Sequence, residues 1–457
     1  MSTIQNALSG LLAAQTGLTT TSQNVANVMT PGYTRQGVLL AAVHLNSTRL
    51  APGNGVEVST LIRFSDGYKT MQMWQAGSEL GRYSTVQPYF TQLEQVMGDD
   101  AASINSGLDA FFSALDAASV EPASIPLRQQ VITTAEALAK RFNSLRQLLS
   151  VQRQSVQQQR SAVVAQINEI TTNIAVLNHK IIAATMSGST ASGLLDERDR
   201  QIDALADLVG IQVIDQPDGS RTISLRDGPP LVVGTQSAVL SAHSNLDGSQ
   251  RLQLDFAHES FTLPGGNFGG QLGGLDDFEG KVLVPLTQSI VDMARELTDR
   301  INAQMGAGYA MDGSTGTDLF EFDPSSVSAM LRVRSGIVAQ DLAFSAVANE
   351  PGNSDNLAAL IHLRNQHVGI SMLGSVLLGD AYTQLVGRLG TDSQQNQALL
   401  KTAQTVRNQA EENWKSTSGV NSDEEASNLI QYQQMYQANM KVIAVANELF
   451  DSVLAMF

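Results

Sequence analysis

The residues with the chemistry to bind metal or act as catalysts are scattered along this chain. The six histidines are His44, His179, His243, His258, His362 and His367. None forms HExxH or an i, i+4 pair, the spacing that turns two imidazoles to one helix face. The segment "DGSTGTD" (312–318) carries oxygen ligands but lacks the DxDxDG order and the twelfth-position Glu of a calcium loop, so a polar turn is expected. Gly280-Lys281 has no phosphate-binding loop ahead of it, and the glycines of "PGGNFGGQLGG" (264–274) do not follow GxGxxG, so they are read as a strand break or bulge. "DERDRQID" (196–203) places acids among arginines on one helix, where surface pairing is the default. With no cysteine, thiolate chemistry and disulfides are absent. The expectation is a protein that is not an enzyme and holds no cofactor.

Charge excludes further classes. Lys and Arg number 28 against 44 Asp and Glu, a net charge of −16, which repels nucleic acid and anionic membrane. No apolar run approaches the roughly 18 residues of a membrane span, so neither membrane insertion nor a cleaved signal peptide is expected.

What the chain does have is helix-forming pattern at both ends. Residues 1–34 contain no Asp, Glu, Lys or Arg, and Ile4, Leu8, Leu11, Leu18 and Val25 repeat by threes and fours, with Gln15 and Ser22 filling the rhythm. An uncharged polar flank suits a densely packed setting, because a buried unpaired ion costs several kcal/mol. Pro31 and Gly32 then break the pattern. At the other end Ser422 can cap a helix whose first turn holds Asp423, Glu424 and Glu425. Leu429, Tyr432, Tyr436, Asn439, Ile443, Ala446, Phe450, Val453 and Phe457 continue as an apolar stripe to the last residue. Two readings stay open. The terminal helices form an antiparallel hairpin within one chain, or they also pair with neighbouring subunits, since surplus apolar surface marks an interface. In the second case the termini would order on assembly.

Between the ends, helices are expected from Ser65 to about Met97, from about Ile104 to Ala118 and from Pro126 to Met186, the last in coiled-coil rhythm. A short helix "LLDERDRQIDALADLVG" (194–210) follows. From Ile211 to about Leu272 the period changes to two, with "IQVIDQPDGSRTISL" as a hairpin turning at Asp218-Gly219. Helix is expected again from about Phe278 to Met305 and from about Asn356 to Thr417. A further β element flanks Pro52-Gly53. The fold class is therefore mainly α with an inserted β domain: an elongated helical-bundle or coiled-coil rod with paired terminal helices and a small outer antiparallel β domain. The division is 1–64 with 418–457 as the inner terminal unit, 65–210 with 276–417 as the rod, and 211–275 as the outer β domain.

Four stretches carry a resemblance. "ANVMTPGYTRQ" (26–36) is similar to the turn shared by flagellar rod, hook and hook-associated proteins. "LLDERD" (194–199), "LLGDAYTQLVGRLG" (377–390) and above all "SGVNSDEEASNLIQYQQMYQANMKVI" (418–443) resemble the FlgK family of flagellar hook-associated proteins, in order and across nearly the whole chain. The resemblance implies a structural subunit of the hook-filament junction, exported unfolded without a cleaved signal peptide by the flagellar type III apparatus and placed extracellularly at the distal end of the hook. Implied partners are the hook protein, a second hook-associated junction protein of FlgL type, the export chaperone FlgN, and further copies of the chain in a ring. Leu8, Leu11, Leu18, Val25, Asn27, Tyr33, Arg35, Leu429, Tyr436, Asn439, Ile443, Phe450 and Phe457 would make the subunit and chaperone contacts. The alternatives are another axial subunit, of hook or rod, and less readily a secreted enzyme or adhesin using the same export route. One departure is expected: the further outer β domain that many members carry after "TGTDLFEFD" (315–323) is missing here.

Overall fold

The computed structural model describes residues 2–43, 53–100, 102–189, 191–245, 248–266 and 268–456. His44, Pro52 and Phe457 lie outside the described residues. The chain opens with helix α1 (Ser2–Ala26) and the hairpin β1 (Gln36–Ala42) and β2 (Val56–Arg63). Helices α2 (Gly67–Met97), α3 (Ile104–Val120), α4 (Ile125–Met186) and α5 (Ser192–Leu208) follow. Next come β3 (Ile211–Asp215), β4 (Arg221–Leu225), β5 (Pro230–Val233), β6 (Gln236–Ser237), β7 (Val239–Ser244), β8 (Gln250–Phe256) and β9 (Glu259–Leu263). The return passes through α6 (Gly270–Phe278), α7 (Val284–Gly306), the hairpin β10 (Phe320–Phe322) and β11 (Leu331–Val333), and α8 (Asp355–His362). A third hairpin, β12 (His367–Ile370) and β13 (Gly374–Leu377), precedes α9 (Ala381–Ser418) and α10 (Ser422–Leu454).

Helix α4 organises the body. Its 62 residues span about 93 Å at 1.5 Å per residue. Val131, Ala135, Leu138, Phe142, Leu145, Leu149, Val156, Val163, Ile167, Ile174 and Ile181 are buried along one seam at threes and fours. Gln152, Arg160, Thr171 and Asn178 sit in the same rhythm and are also buried; Thr171 returns its hydroxyl to the Asn168 carbonyl of the same helix, and the other three meet neighbouring elements. Gln152 donates to the Tyr89 carbonyl at 2.9 Å, and Asn178 donates to the carbonyls of Arg221 and Gly234 at 2.9 and 2.7 Å. Polar residues in a coiled-coil seam thus hold strands and a neighbouring helix, at places where an aliphatic side chain would leave backbone carbonyls unpaired.

Several expectations need correction. The β segment forms two sheets, ordered β3-β4-β5-β6 and β7-β8-β9, and its buried Ile223, Leu225, Val232, Leu240 and Leu254 belong to the same continuous core as α4. Its last part, 270–275, is helix. The glycines there serve close approach, since a methyl group on Gly274 would strike the Arg82 carbonyl of α2, and one on Gly270 the backbone of Leu208 and Val209. Between α6 and α7 the helix widens into a π turn over Glu279–Leu283, immediately ahead of Pro285, which has no N–H to return to the preceding turn. The stretch expected as one helix from Asn356 to Thr417 is divided by β12 and β13, where Val368 and Ile370 face inward and His367 and Gly369 outward, and Gly374 turns with φ +76°. Asn421, through Asp423 N–H at 3.0 Å, caps α10 in place of Ser422. The paired terminal helices, by contrast, are as expected: α1 and α10 lie against each other within one chain.

The π turn places Glu279 in the core. It accepts from Arg153 and Gln157, each at 2.8 Å, and pairs with the fully buried Arg160 at 2.7 Å. Burial pushes this carboxyl up, but the Arg153 and Arg160 charges and hydrogen bonds outweigh it and hold it below the ordinary range. A depressed carboxyl contributes stability above its unfolded value and loses it as pH falls through the folded value. Glu279→Gln should therefore cost on the order of 3 kcal/mol at neutral pH by stranding Arg160. Denaturant titrations should show the gap to wild type closing as pH falls below about 4.

Candidate functional site: the terminal helix pair and its turn

Helices α1 and α10 run antiparallel, and the seam of α1 is made of small residues. Ala7, Gly10, Ala14, Gly17, Thr21 and Asn24 are buried at strict threes and fours. The expected stripe of Ile4, Leu8, Leu11, Leu18 and Val25 is displaced to the flanks: Leu8 is 47% exposed, Ile4 and Val25 are exposed, and Leu11 and Leu18 are half-buried. The reason is steric. Where two helices meet, the side chains at the contact set the separation. A methyl group on Gly10 would come within 2.7 Å of Asn439, and one on Gly17 within 2.6 Å of the Tyr432 ring. The larger α10 residues occupy the space that the glycines leave open, and a further seven residues along each helix lie Asn24 and the buried Glu425.

On α10, Tyr432, Tyr436, Asn439 and Ile443 are half-buried towards α1. Leu429 is exposed and Phe450 is 62% exposed. Ile430, Met440, Val442, Val445, Leu449, Val453 and Leu454 are also exposed. Around Ile4, Val442, Val445, Leu449, Phe450 and Val453 they bound an open apolar groove of about 810 Å³.

The turn after α1 is held from three sides. Gly32 takes φ +74°, a left-handed value that favours glycine, and lies against the Arg200 stem. Tyr33 donates its hydroxyl to Asn24 Oδ1 at 2.9 Å, and Asn24 bonds the backbone of Gln36 in both directions, at 2.8 and 3.1 Å. Burial, followed by the Asp196 and Glu425 charges, pushes the Tyr33 phenol up to about 12. Asn27 donates to the Gln23 carbonyl at 2.9 Å and accepts from Thr30. Arg35 pairs with Glu424, lies 4.4 Å over the Phe64 ring, and gives its backbone N–H to the Ser418 carbonyl at 2.8 Å. Arg35 thus ties the turn to the start of α10.

The segment "DERDRQID" is where the sequence expectation fails most usefully. Asp196, Asp199, Asp203 and Asp207 recur at threes and fours on one face of α5, and together they meet four different elements. Arg63 of β2 bonds Asp196 and Asp199, both at 2.8 Å, and Arg221 of β4 pairs with Asp199. Arg407 of α9 grips Asp203 with two bonds at 2.8 and 2.6 Å, and Gln271 of α6 reaches Asp207 at 2.7 Å. Arg198, 3% exposed, donates to the Gly219 carbonyl at 2.7 Å, and burial, then the nearby Arg221 charge, pulls its guanidinium down to about 10. Surface pairing is therefore the wrong account. The regular acid spacing was the available signal.

Among the described residues no three His, Asp or Glu side chains gather as a metal site. Among the same residues no helix is long and apolar enough to cross a membrane. Residues 90–320, a little over half of the chain, match the flagellar hook-associated protein FlgK helical domain. This chain belongs to the FlgK family. Residues 416–456 match the flagellar basal body rod FlgEFG protein C-terminal family. Flagellar hook-associated protein 1 of Salmonella typhimurium is 29% identical over 553 aligned positions covering 99% of both chains, and that of Bacillus subtilis is 26% identical over 99% of this chain and 97% of its own. The Salmonella alignment exceeds this 457-residue chain by at least 96 positions, so that relative carries segments without a counterpart here. The flagellar hook junction protein FlgK of Burkholderia pseudomallei shares the fold, with a TM-score of 0.67 at 17% identity over 76% of this chain and 99% of its own.

The Gly17 contact is testable in isolation. Gly17→Ala should open the helix pair and raise amide exchange across 422–454 by about tenfold or more, a loss of roughly 1–3 kcal/mol from overpacking. Adding Tyr432→Ala removes the clash and should restore protection.

Proposed function

We infer that this chain is a structural subunit of the bacterial flagellum at the hook-filament junction. The observation that carries this reading is the terminal helix pair of a FlgK-family chain, joined by a seam of small residues and leaving large apolar side chains exposed along its flanks. Exposed apolar surface of this extent marks a protein contact. Leu8, Leu11, Leu18 and Val25 on α1, and Leu429, Tyr436, Asn439, Ile443 and Phe450 on α10, with Phe457 beyond it, form the axial contact set. Asn27, Tyr33 and Arg35 set the angle at which the pair leaves the body. The partners are the hook protein on one side, a FlgL-type junction protein on the other, and further copies in a ring. The chain travels unfolded through the flagellar type III apparatus, with FlgN holding α10 beforehand.

The match of residues 416–456 to rod-type proteins favours a second reading, in which α10 only marks a generic axial subunit. The longer FlgK-type match over 90–320 favours the junction member.

The test is deletion of residues 422–457. Filament formation and FlgN binding should both be lost, while circular dichroism and the fluorescence of Trp74, read in a Trp414→Phe background, report an intact body. Filaments built with the truncated chain would refute the reading.

A further inference from the structure

We propose that the buried carboxylate of Glu425 is a socket for a basic side chain, Lys441, from a second copy of this chain. The proposal deepens the junction reading and rests on it. Glu425 is 2% exposed, and its Oε2 is buried with no hydrogen-bond partner. It lines a polar cavity of about 260 Å³, walled by Thr20 and Thr21 of α1, by Arg35, by Phe64, and by Asn428 and Tyr432 of α10. That volume corresponds to about nine waters, room for the tip of a side chain and not for a folded segment. A buried carboxylate oxygen without a partner is unfavourable, and a cation entering the cavity would satisfy it. Arg35, the basic residue on the wall, pairs through Nη1 with Glu424 and stacks over Phe64, while its buried Nε has no hydrogen-bond partner, so it leaves Glu425 Oε2 unbonded.

The terminal helices themselves narrow the choice of cation. Helix α1 contains no charged residue, and α10 carries Lys441 as its only base against five acids. Lys441 is exposed and makes no ion pair among the described residues. It cannot reach Glu425 of its own chain, because the two lie sixteen residues apart on one helix, about 24 Å. The lysine therefore comes from another copy, displaced by about 24 Å along the pair if neighbouring pairs run parallel. Such a contact joins two different patches, so it propagates from copy to copy and does not close as a dimer.

The chain has no cysteine, so a Glu425→Cys, Lys441→Cys double variant reports on this contact alone. A bis-maleimide with a spacer of about 10 Å matches the reach of a Lys–Glu pair, which is longer than a disulfide allows, and it cannot bridge two positions about 24 Å apart on one helix, so any product joins copies. Treating isolated hook-filament junctions containing the variant with this cross-linker should yield a ladder of multimers. No ladder, or a product that stops at the dimer, overturns the proposal. If the cysteine variant does not assemble, charge exchange decides. Glu425→Lys and Lys441→Glu should each lower incorporation by about tenfold, and the two together should restore it to within about threefold. An exchange variant no better than the worse single change overturns the proposal, whereas wild-type chain missing from isolated junctions would overturn the junction reading and this inference together.

Discussion

The arrangement of the molecule depends on the ionic face of α5. One helix of 17 residues receives arginines from β2, β4 and α9 and an amide from α6, so segments more than 300 residues apart in sequence are referred to a single rigid ruler. The pairs are largely removed from water, with Asp196 6% exposed. Buried pairs are poor sources of net stability, because desolvation offsets the Coulomb gain, but breaking one leaves a charge stranded at a cost of several kcal/mol. Their effect is on geometry. A slip of β2, β4 or α9 by a helical turn would strand an arginine, so the network admits one arrangement of the first hairpin, the β sheet and the returning helix. Gly32, folded against the Arg200 stem, extends the same control to the turn after α1.

Beyond that clasp the physics changes. The body buries phenylalanine, leucine and isoleucine along α4, whereas the α1–α10 seam buries alanine, glycine, threonine and asparagine. Small seam residues yield little apolar burial, about 25 cal/mol per Å², while the leucines, valines and Phe450 that could yield more face outward. The terminal pair is thus closely fitted but lightly cemented, with its larger apolar side chains left facing outward.

Much of this was legible in the residues. The 3-4 rhythm of α4, the Asp218-Gly219 hairpin and the acidic first turn of α10 are local patterns, and local backbone and side-chain preferences decide them. The family, too, was legible in four short stretches. What the sequence by itself could not decide was which stripe of α1 faces inward. Both the leucine stripe and the Ala7-Gly10-Ala14-Gly17 stripe repeat by threes and fours, and only the rings and amides of α10, more than 400 residues away, select the small one by filling the space it leaves. The acids of α5 pose the same problem, since a charged helix face is a solvated surface or a buried clasp according to whether arginines from elsewhere arrive. Spacing is written locally, and partners are supplied by tertiary structure.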